Sequence, residues 1–488
     1  MKLKKLIAIS MASVLTIAMI GCGNSNQGTE GAEAAAETEA PAAEEAAETE
    51  QTAEAAQAPT EGELKYTDIT LGEDYTDLTA TIKVLNHRTD MGSSDYPGKN
   101  WEAYIADFNQ MYPNITVDLE VLSNYADDGL LRLQDADWGD VMEIPAVDKA
   151  DLNEYYLPLG TLEDITTQAN MCQEWSYEGI AYGVPTTAAA QGIVYNKKVF
   201  EAAGVQTLPK TPDEFITALK AIKEKTDAIP LYTNYAAEWT MGAWDAYIWG
   251  SATGNAAYKN HDILHTSNPF ADPGDGTHAY NVYKILFDAV EQGLIEEDYS
   301  TTDWEGCKGM INNGEIGCMV LGSWSVTQMQ SAGDHPDDIG YMPFPITVDG
   351  KQYATAGPDF NWGVNINSTP ENQAAGMVFI KWMTEQSGFS KNEGGLPIAA
   401  SDTELPSVYD EFADVTFVSN AVPVEGEFDL LNNLNSESEL MLDQEGNKKN
   451  MEIIEHAANA DMSFDEIMDD WNARWTAAQE ESNVEITN

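Results

Sequence analysis

The sequence is poor in basic residues for its length. Its 488 residues include 24 Lys and Arg against 82 Asp and Glu, which gives a formal net charge of −58. Such a field repels anions over long range, so nucleic acid, anionic lipid surfaces and phosphorylated ligands are poor partners. Neutral polar ligands and cationic ligands remain. The alternative is that most of the acidic residues only keep the chain soluble.

Cysteine is also scarce. The four cysteines are Cys22, Cys172, Cys307 and Cys318, with no CxxC pair and no Cys/His pairing. This pattern argues against a disulfide framework and against a zinc site. We expect the last three to be buried free thiols, and a bridge between Cys307 and Cys318 is the alternative.

Neither a metal site nor a cofactor is predicted. The loop Asp272 to Gly276 (DPGDG) lacks the regular ligand run of an EF-hand, so we interpret it as a turn and leave calcium binding open.

Long apolar runs are confined to the first residues. A basic start precedes an apolar stretch from Leu6 to Ile20, which is shorter than the roughly 20 residues of a spanning helix. This layout predicts an export signal at residues 1–21. Met19-Ile20-Gly21-Cys22 resembles a bacterial lipobox, which implies cleavage before Cys22 and lipidation of its sulfur. An uncleaved N-terminal anchor is the alternative, and both place the remaining chain outside the cytoplasm.

The segment that follows lacks Lys, Arg and aromatic residues altogether. Residues 23–63 consist of Glu, Ala, Thr, Gln, Gly, Asn, Ser and Pro. Such a segment buries too little apolar surface to offset the entropy of ordering. Residues 22–63 are therefore predicted to be a lipidated, disordered acidic tether.

The rest of the chain alternates strand and helix patterns. Strands are predicted at residues 79–86, 115–122 and 140–144, with a helix at 100–112 between the first two. A helix between two strands implies a parallel pair. Later elements repeat the pattern, with further strands at residues 229–232, 315–321 and 361–367 and further helices at 211–222, 280–292, 370–383 and from 463. The predicted fold class is α/β.

Several stretches resemble the extracellular solute-binding proteins of family 1, which are similar to maltose-binding protein and serve ABC sugar importers. They are Gly183-Val184-Pro185, Tyr195-Asn196-Lys197, KTPDEF (210–215), NNGEIGCMVLGSWSV (312–326) and GGLPIAAS (394–401). The resemblance covers residues 79–478.

The resemblance implies a two-lobed, periplasmic-binding-protein-like fold of type II with a ligand cleft between the lobes. The N-terminal lobe would comprise residues 64–188 and 360–402, and the C-terminal lobe residues 189–359 and 403–488. Crossings are expected near residues 187–190, 358–362 and 400–405.

Candidate ligand-binding residues are acids and aromatics at strand ends, because carboxylates accept paired hydroxyls and indole or phenyl rings offer flat apolar faces. They are Arg88, Asp90, Asp140, Trp239, Trp324, Asp359 and Phe360, with His87 beside the first two. The alternatives are a solvated loop at residues 86–90 and a turn-capping carboxylate at Asp140. Trp244, Tyr247 and Ile248 have helical spacing and are expected in the core, and Trp304 lies in a polar loop without further support.

The predicted function is that of a binding lipoprotein without catalysis, which captures a mono- or oligosaccharide and delivers it to ABC permease subunits. It would be a monomer held at the extracellular face of the membrane by its lipid. A binding protein for peptides or cationic solutes and an extracellular glycosidase are the alternatives.

Overall fold

The structure, a computed structural model, describes residue 59 and residues 62–94, 96, 98–424, 426–442 and 447–487. The predicted signal peptide, Cys22 and most of the predicted tether lie outside these residues. Within the described part of the chain, no helix has both the length and the apolar character that crossing a membrane requires.

The strands were assigned over the described residues only. In chain order they are β1 (Ala80–Asn86), β2 (Ile115–Val121), β3 (Val141–Glu143), β4 (Gly160–Thr161), β5 (Ser176–Tyr177), β6 (Ile180–Ala181), β7 (Val184–Pro185), β8 (Ala188–Asn196), β9 (Ile229–Leu231), β10 (Ile316–Gly322), β11 (Ile339–Pro343), β12 (Tyr353–Pro358), β13 (Asn361–Val364) and β14 (Thr416–Val418).

The helices cover the sheets and fill the segments between strands. In chain order they are α1 (Trp101–Met111), α2 (Tyr125–Arg132), α3 (Leu152–Tyr155), α4 (Leu162–Ile165), α5 (Lys197–Ala203), α6 (Pro212–Lys225), α7 (Trp239–Gly242), α8 (Gly250–Thr253), α9 (His278–Glu291), α10 (Trp304–Asn312), α11 (Trp324–Ser331), α12 (Pro370–Glu385), α13 (Phe389–Asn392), α14 (Leu430–Ser438), α15 (Asn447–Asn459) and α16 (Phe464–Glu481).

The strands form two main sheets. The first has the order β2-β1-β3-β13-β7, and the second has the order β14-β12-β8-β10-β9 with β11 also paired to β8. β1 is parallel to both β2 and β3, as the βαβ pattern predicts. A small third sheet, β4-β6-β5, completes the set described.

Two short connectors carry the chain between the main sheets. Residues 186–187 join β7 of the first sheet to β8 of the second, and residues 359–360 join β12 of the second to β13 of the first. The connectors touch, because the Asp359 backbone N–H donates to the Thr187 carbonyl at 3.0 Å. A third segment lies against them through the Leu396 N–H, which donates to the Ala188 carbonyl at 2.7 Å.

Buried apolar side chains from both main sheets belong to one continuous cluster. One cluster of buried side chains includes Val84 of β1 and Met319 of β10, so it extends from one sheet to the other. A second cluster packs α6, α9 and α16 together and contains Trp471 and Trp475. Because the first cluster spans both sheets, the lobe boundaries given above stay a prediction.

Helix starts follow from local capping. The Thr211 hydroxyl accepts from the Glu214 N–H at the start of α6, with Pro212 as the first helical residue. Ser463 and Glu466 form a reciprocal capping box at the start of α16. Both starts were predicted from the sequence, since a hydroxyl at the cap satisfies N–H groups that have no partner within the helix.

The three later cysteines, Cys172, Cys307 and Cys318, are buried and unbridged, as expected. In the loop of residues 272–276, the Asp272 carboxylate accepts from the Gly274 N–H and the Asp275 carboxylate from the Thr277 N–H. These short-range bonds are those of a turn.

Candidate functional site

Both main sheets point the carboxyl ends of their parallel strands at the connectors. In the first sheet, Trp362 of β13 pairs with Glu143, the last residue of β3. In the second sheet, Gln191 of β8 pairs with Gly322, the last residue of β10. Since β1 is parallel to β3 and β9 to β10, the carboxyl ends of these strands face the connectors from both sides. Ligands bind at this position in open α/β sheets.

On the first sheet, an acidic and aromatic cluster surrounds His87, the residue that follows β1. His87 Nδ1 lies 2.8 Å from Glu143 Oε2, and the His87 backbone N–H donates to the same oxygen at 2.8 Å. The His87 ring is centred 4.6 Å from Phe360 and 6.2 Å from Tyr125. The carboxylate of the exposed Asp359 has no hydrogen bond or ion pair to another described residue, so it is available to a ligand.

His87 and Glu143 are a coupled pair. Burial opposes protonation of His87, but the adjacent Glu143 carboxylate outweighs it and raises the pKa of His87 above its ordinary value. Burial also raises the pKa of Glu143, while His87 acts in the opposite direction. The negative charge of Asp359 favours protonation of both groups. The pKa of each group is therefore shifted upward.

On the second sheet, three tryptophans form a cluster that we call the tryptophan trio. Trp239, Trp304 and Trp324 are the first residues of α7, α10 and α11. Ring centroids are 5.0 Å apart for Trp239 and Trp304, 5.7 Å for Trp239 and Trp324, and 5.9 Å for Trp304 and Trp324. Trp239 is 45% exposed. None of the three indole N–H groups donates to another described residue. The trio can therefore offer a ligand hydrogen-bond donors as well as aromatic rings.

Arg88 and Asp90 are engaged with each other. Arg88 Nε and one terminal nitrogen donate to the two Asp90 oxygens, each at 2.9 Å. The same terminal nitrogen lies 3.0 Å from Glu393 and from the Tyr96 hydroxyl, which itself donates to Glu393 at 2.7 Å. This network ties the loop after β1 to the segment after α13. Arg88 and Asp90 therefore already have protein partners, and their role as ligand contacts stays a prediction.

Buried polar atoms near the connectors lack partners among the described residues. They are Asn86 Nδ2, Asn361 Oδ1 and Glu393 Oε1. Asn86 ends β1, Asn361 starts β13, and both are fully buried. An unpaired buried polar atom costs free energy, so such groups take a water or a ligand as partner. Their position supports a polar ligand site at this edge.

Comparison with known proteins identifies the family of the chain. The family model described as "Bacterial extracellular solute-binding protein" matches residues 92–388. The chain belongs to this family.

Among solved structures, a manno-oligosaccharide-specific solute-binding protein from Bifidobacterium animalis subsp. lactis, in complex with mannotriose, is 53% identical. The match covers 86% of this chain and 99% of that one with a TM-score of 0.82. A binding protein of an ABC transporter from the same organism, in complex with mannobiose, gives the same identity, the same coverages and a TM-score of 0.82. A curated relative, the diacetylchitobiose-binding protein of Streptomyces coelicolor, is 38% identical over 86 residues, which span 16% of this chain and 20% of the relative.

The matches agree with the two-lobed α/β fold of solute-binding proteins. In such a fold, a cleft between the lobes closes around the ligand. The connectors at residues 186–187 and 359–360 link the two sheets. The cluster around His87 and the tryptophan trio lie at the strand ends that face these connectors. They are therefore our candidates for the two walls of the cleft.

The structure separates Asp140 from the other candidates. Asp140 precedes β3, and its carboxylate accepts from the Lys83 N–H at 2.8 Å, the Ser368 hydroxyl at 2.6 Å and the Asn372 amide at 3.0 Å. It lies at the amino end of the strand, where its carboxylate already has these protein partners, and its role as a ligand contact stays a prediction. Glu143, at the opposite end of the same strand, occupies the position that faces the connectors.

Sequence reasoning did not name two residues that the structure places in these clusters, Glu143 and Trp304. Glu143 was read only as part of a strand, although it is the acidic last residue of an otherwise apolar one. Trp304 was assigned to a loop, but it is the first residue of α10, and Asp303 is the N-cap of that helix. The signal for Trp304 was Asp303 itself, a good N-cap residue directly before a helix-forming segment.

Proposed function

We propose that the chain is the substrate-binding subunit of an ABC importer and that its ligand is a manno-oligosaccharide. The tryptophan trio and the carboxylates at the opposite strand ends are the observation that carries this proposal. A sugar presents apolar C–H faces and hydroxyls. Exposed indoles stack on the former, and carboxylates accept from the latter.

The class of sugar is inferred from similarity. The two Bifidobacterium proteins that are 53% identical over 86% of the chain were solved with mannotriose and mannobiose. At this level of identity we expect the ligand class to be shared. Trp239, Trp324, Asp359 and Phe360 are the proposed direct contacts, with His87, Glu143 and Trp304 added from the structure.

Capture requires closure of the cleft. A ligand that contacts both walls stabilises the closed state more than the open state, and this difference drives closure. Micromolar affinity corresponds to about 8 kcal/mol, which a few charge-assisted hydrogen bonds and stacked rings can supply. The closed, loaded protein would then dock on the permease subunits.

We further propose that the mature chain begins at a lipidated Cys22 and acts as a monomer at the extracellular face of the membrane. The apolar run before Cys22 and the lipobox-like residues 19–22 support this. Labelling of cells with a palmitate analogue tests it, because Cys22→Ser should abolish the label and release the protein into the medium. Retention of label in this variant would contradict it.

Calorimetry with mannotriose tests the binding function. We expect saturable heat with a Kd near the micromolar range and no release of mannose on prolonged incubation. Maltotriose, raffinose and a panel of cationic peptides serve as comparisons. Release of mannose would contradict the proposal and indicate a glycoside hydrolase. Binding heat with cationic peptides but not with sugars would indicate a binding protein for charged solutes.

A further inference from the structure

A cluster of two histidines and one carboxylate lies outside the candidate site. His261 Nδ1 is 2.8 Å from Glu427 Oε2, and His265 Nε2 is 2.8 Å from Glu427 Oε1. The two imidazole rings are centred 4.9 Å apart. One ligand atom from each of the three residues can be chosen so that all three lie within 4.8 Å of one another. The sequence predicted no metal site here because Glu427 is distant in the chain from the histidines.

Hydrogen-bond geometry fixes which nitrogen of His265 carries a proton. His265 Nδ1 lies 2.7 Å from the backbone carbonyl oxygen of Glu485, which can only accept, so Nδ1 is the donor. In the neutral ring, Nε2 then presents a lone pair to Glu427 Oε1. Two lone pairs 2.8 Å apart repel, so a proton or a cation must lie between them.

We propose that His261, His265 and Glu427 bind a divalent transition-metal ion of the zinc type. Imidazole nitrogen and carboxylate oxygen are ligands that Zn²⁺ takes readily at about 2.0–2.2 Å. Tetrahedral binding at this distance separates the ligand atoms by about 3.3 Å. This value lies between the 2.8 Å of the two histidine–glutamate contacts and the 4.8 Å that bounds the separations in the group. Three protein ligands leave the fourth position to water.

The surroundings fit this assignment. The carbonyl of Glu485 orients the His265 ring, as outer-shell groups do at metal-binding histidines. His261 is on the surface with 43% of its side chain exposed, which gives an ion access and lets Nε2 carry the proton while Nδ1 binds. The side chains of His265 and Glu427 are 14% and 18% exposed, so the ion would be partly shielded from solvent. The net charge of −58 also attracts cations.

Binding would connect three segments. His261 directly precedes, and His265 ends, a short 3-10 helix at Asp262–His265. Glu427 belongs to the segment before α14, and Glu485 lies near the C-terminus. Phe428, which follows Glu427, packs against Tyr177 of β5 with ring centroids 5.3 Å apart. The ion would therefore fix a segment that contacts the small third sheet. The inference does not depend on the proposed sugar ligand.

Titration of the metal-free protein with ZnCl₂ alone tests the proposal, with native mass spectrometry for stoichiometry and calorimetry for affinity. We expect one equivalent bound with a dissociation constant below that of every other site on the protein, and a rise in melting temperature that EDTA reverses. Replacing Zn²⁺ with Co²⁺ should give the visible absorption of a four-coordinate site.

The variants are chosen so that folding does not decide the result. His261→Gln is at the exposed position and should weaken zinc binding at least tenfold without changing the melting temperature of the metal-free protein. Glu427→Gln should do the same more strongly. His456→Gln is the matched control, because His456 pairs with Asp461 at 2.9 Å but belongs to no metal-ligating group of three among the described residues. His456→Gln should bind zinc as tightly as the parent. Equal zinc binding in His261→Gln and the parent, or no zinc bound by the parent, would overturn the proposal.

Discussion

At the scale of single residues, residue types in the candidate site could be predicted from the sequence, and most of their contacts could not. Trp239, Trp324, Asp359 and Phe360 were named from residue type and position at strand ends. Their partners depend on contacts between distant segments. Glu143 meets His87 only because β1 and β3 are neighbours in the sheet, and Arg88 meets Glu393 across 305 positions of sequence.

Trp239→Ala is expected to weaken mannotriose binding. The exposed indole would lose its stacking on a sugar ring, a loss of about 1.5 kcal/mol or roughly tenfold in Kd. Because the side chain is 45% exposed, the melting temperature should change little. Calorimetry and thermal unfolding measure the two effects. Met462→Ala, at a 37% exposed apolar side chain in the loop before α16, is the control, and equal affinity in both variants would remove Trp239 from the site.

His87 is expected to titrate above its ordinary pKa of about 6.5. Burial lowers the pKa of His87, but Glu143 outweighs this, so the net shift is upward. The stabilisation from the charged pair is therefore fully present below about pH 6.5 and is lost as the pH rises through the folded-state pKa. NMR titration of the imidazole measures this value. Glu143→Gln should lower it, and an unchanged value in that variant would contradict the pairing.

At the scale of elements, sequence patterns located most helices and strands within a few residues. Strand 79–86 is β1, helix 100–112 contains α1, and the capping box at Ser463 starts α16. The failures are short elements. The segment of residues 239–253 is divided into α7, a 3-10 helix at Ala243–Tyr247 and α8, and Trp249, directly before α8, has non-helical backbone angles. Its buried Trp244, Tyr247 and Ile248 are core residues, as predicted.

Gly395 is expected to be essential to the packing of the connectors. A Cβ there would lie 1.8 Å from Thr187 Oγ1 and 2.9 Å from the Ala188 carbonyl oxygen. Gly395→Ala should therefore cost roughly 1–3 kcal/mol in the free energy of unfolding, measured by urea denaturation. Gly357→Ala is the matched control near the connectors, since nothing lies within 4 Å of its added Cβ. A smaller loss in Gly395→Ala than in Gly357→Ala would show that this contact is not rigid.

At the scale of the whole molecule, the alternation of strands and helices indicated an α/β fold, and the family resemblance indicated two lobes. The pairing of β8 with β10, β11 and β12 was not predictable, because the partners lie far apart in sequence and each pairing depends on the others. Composition limited the ligand class through charge. It could not identify the sugar, which depends on the positions of a few side chains.

Mannotriose is expected to compact the protein. If both walls contact the sugar, saturation should lower the radius of gyration in small-angle scattering. Trp239→Ala should require more sugar to reach the same compact state. Raffinose at the same concentration is the control for a solute effect. An unchanged scattering profile at saturating mannotriose would exclude closure by this ligand.

The buried thiols are expected to resist modification in the folded protein. Burial raises the pKa of Cys172 and that of Cys307 to about 12, so almost no thiolate forms at neutral pH. Iodoacetamide should label them slowly until guanidinium unfolds the chain, with each position followed by mass spectrometry. Rapid labelling of either cysteine in the native state would reveal local opening around it.

In the connector of residues 359–360, the link between the two main sheets and the proposed ligand contacts are the same residues. The two residues that join β12 to β13 are also the proposed ligand contacts Asp359 and Phe360. A substitution selected there for a different sugar would alter the torsional freedom of the joint at the same time. A single substitution there would thus change sugar selectivity and the closing motion together.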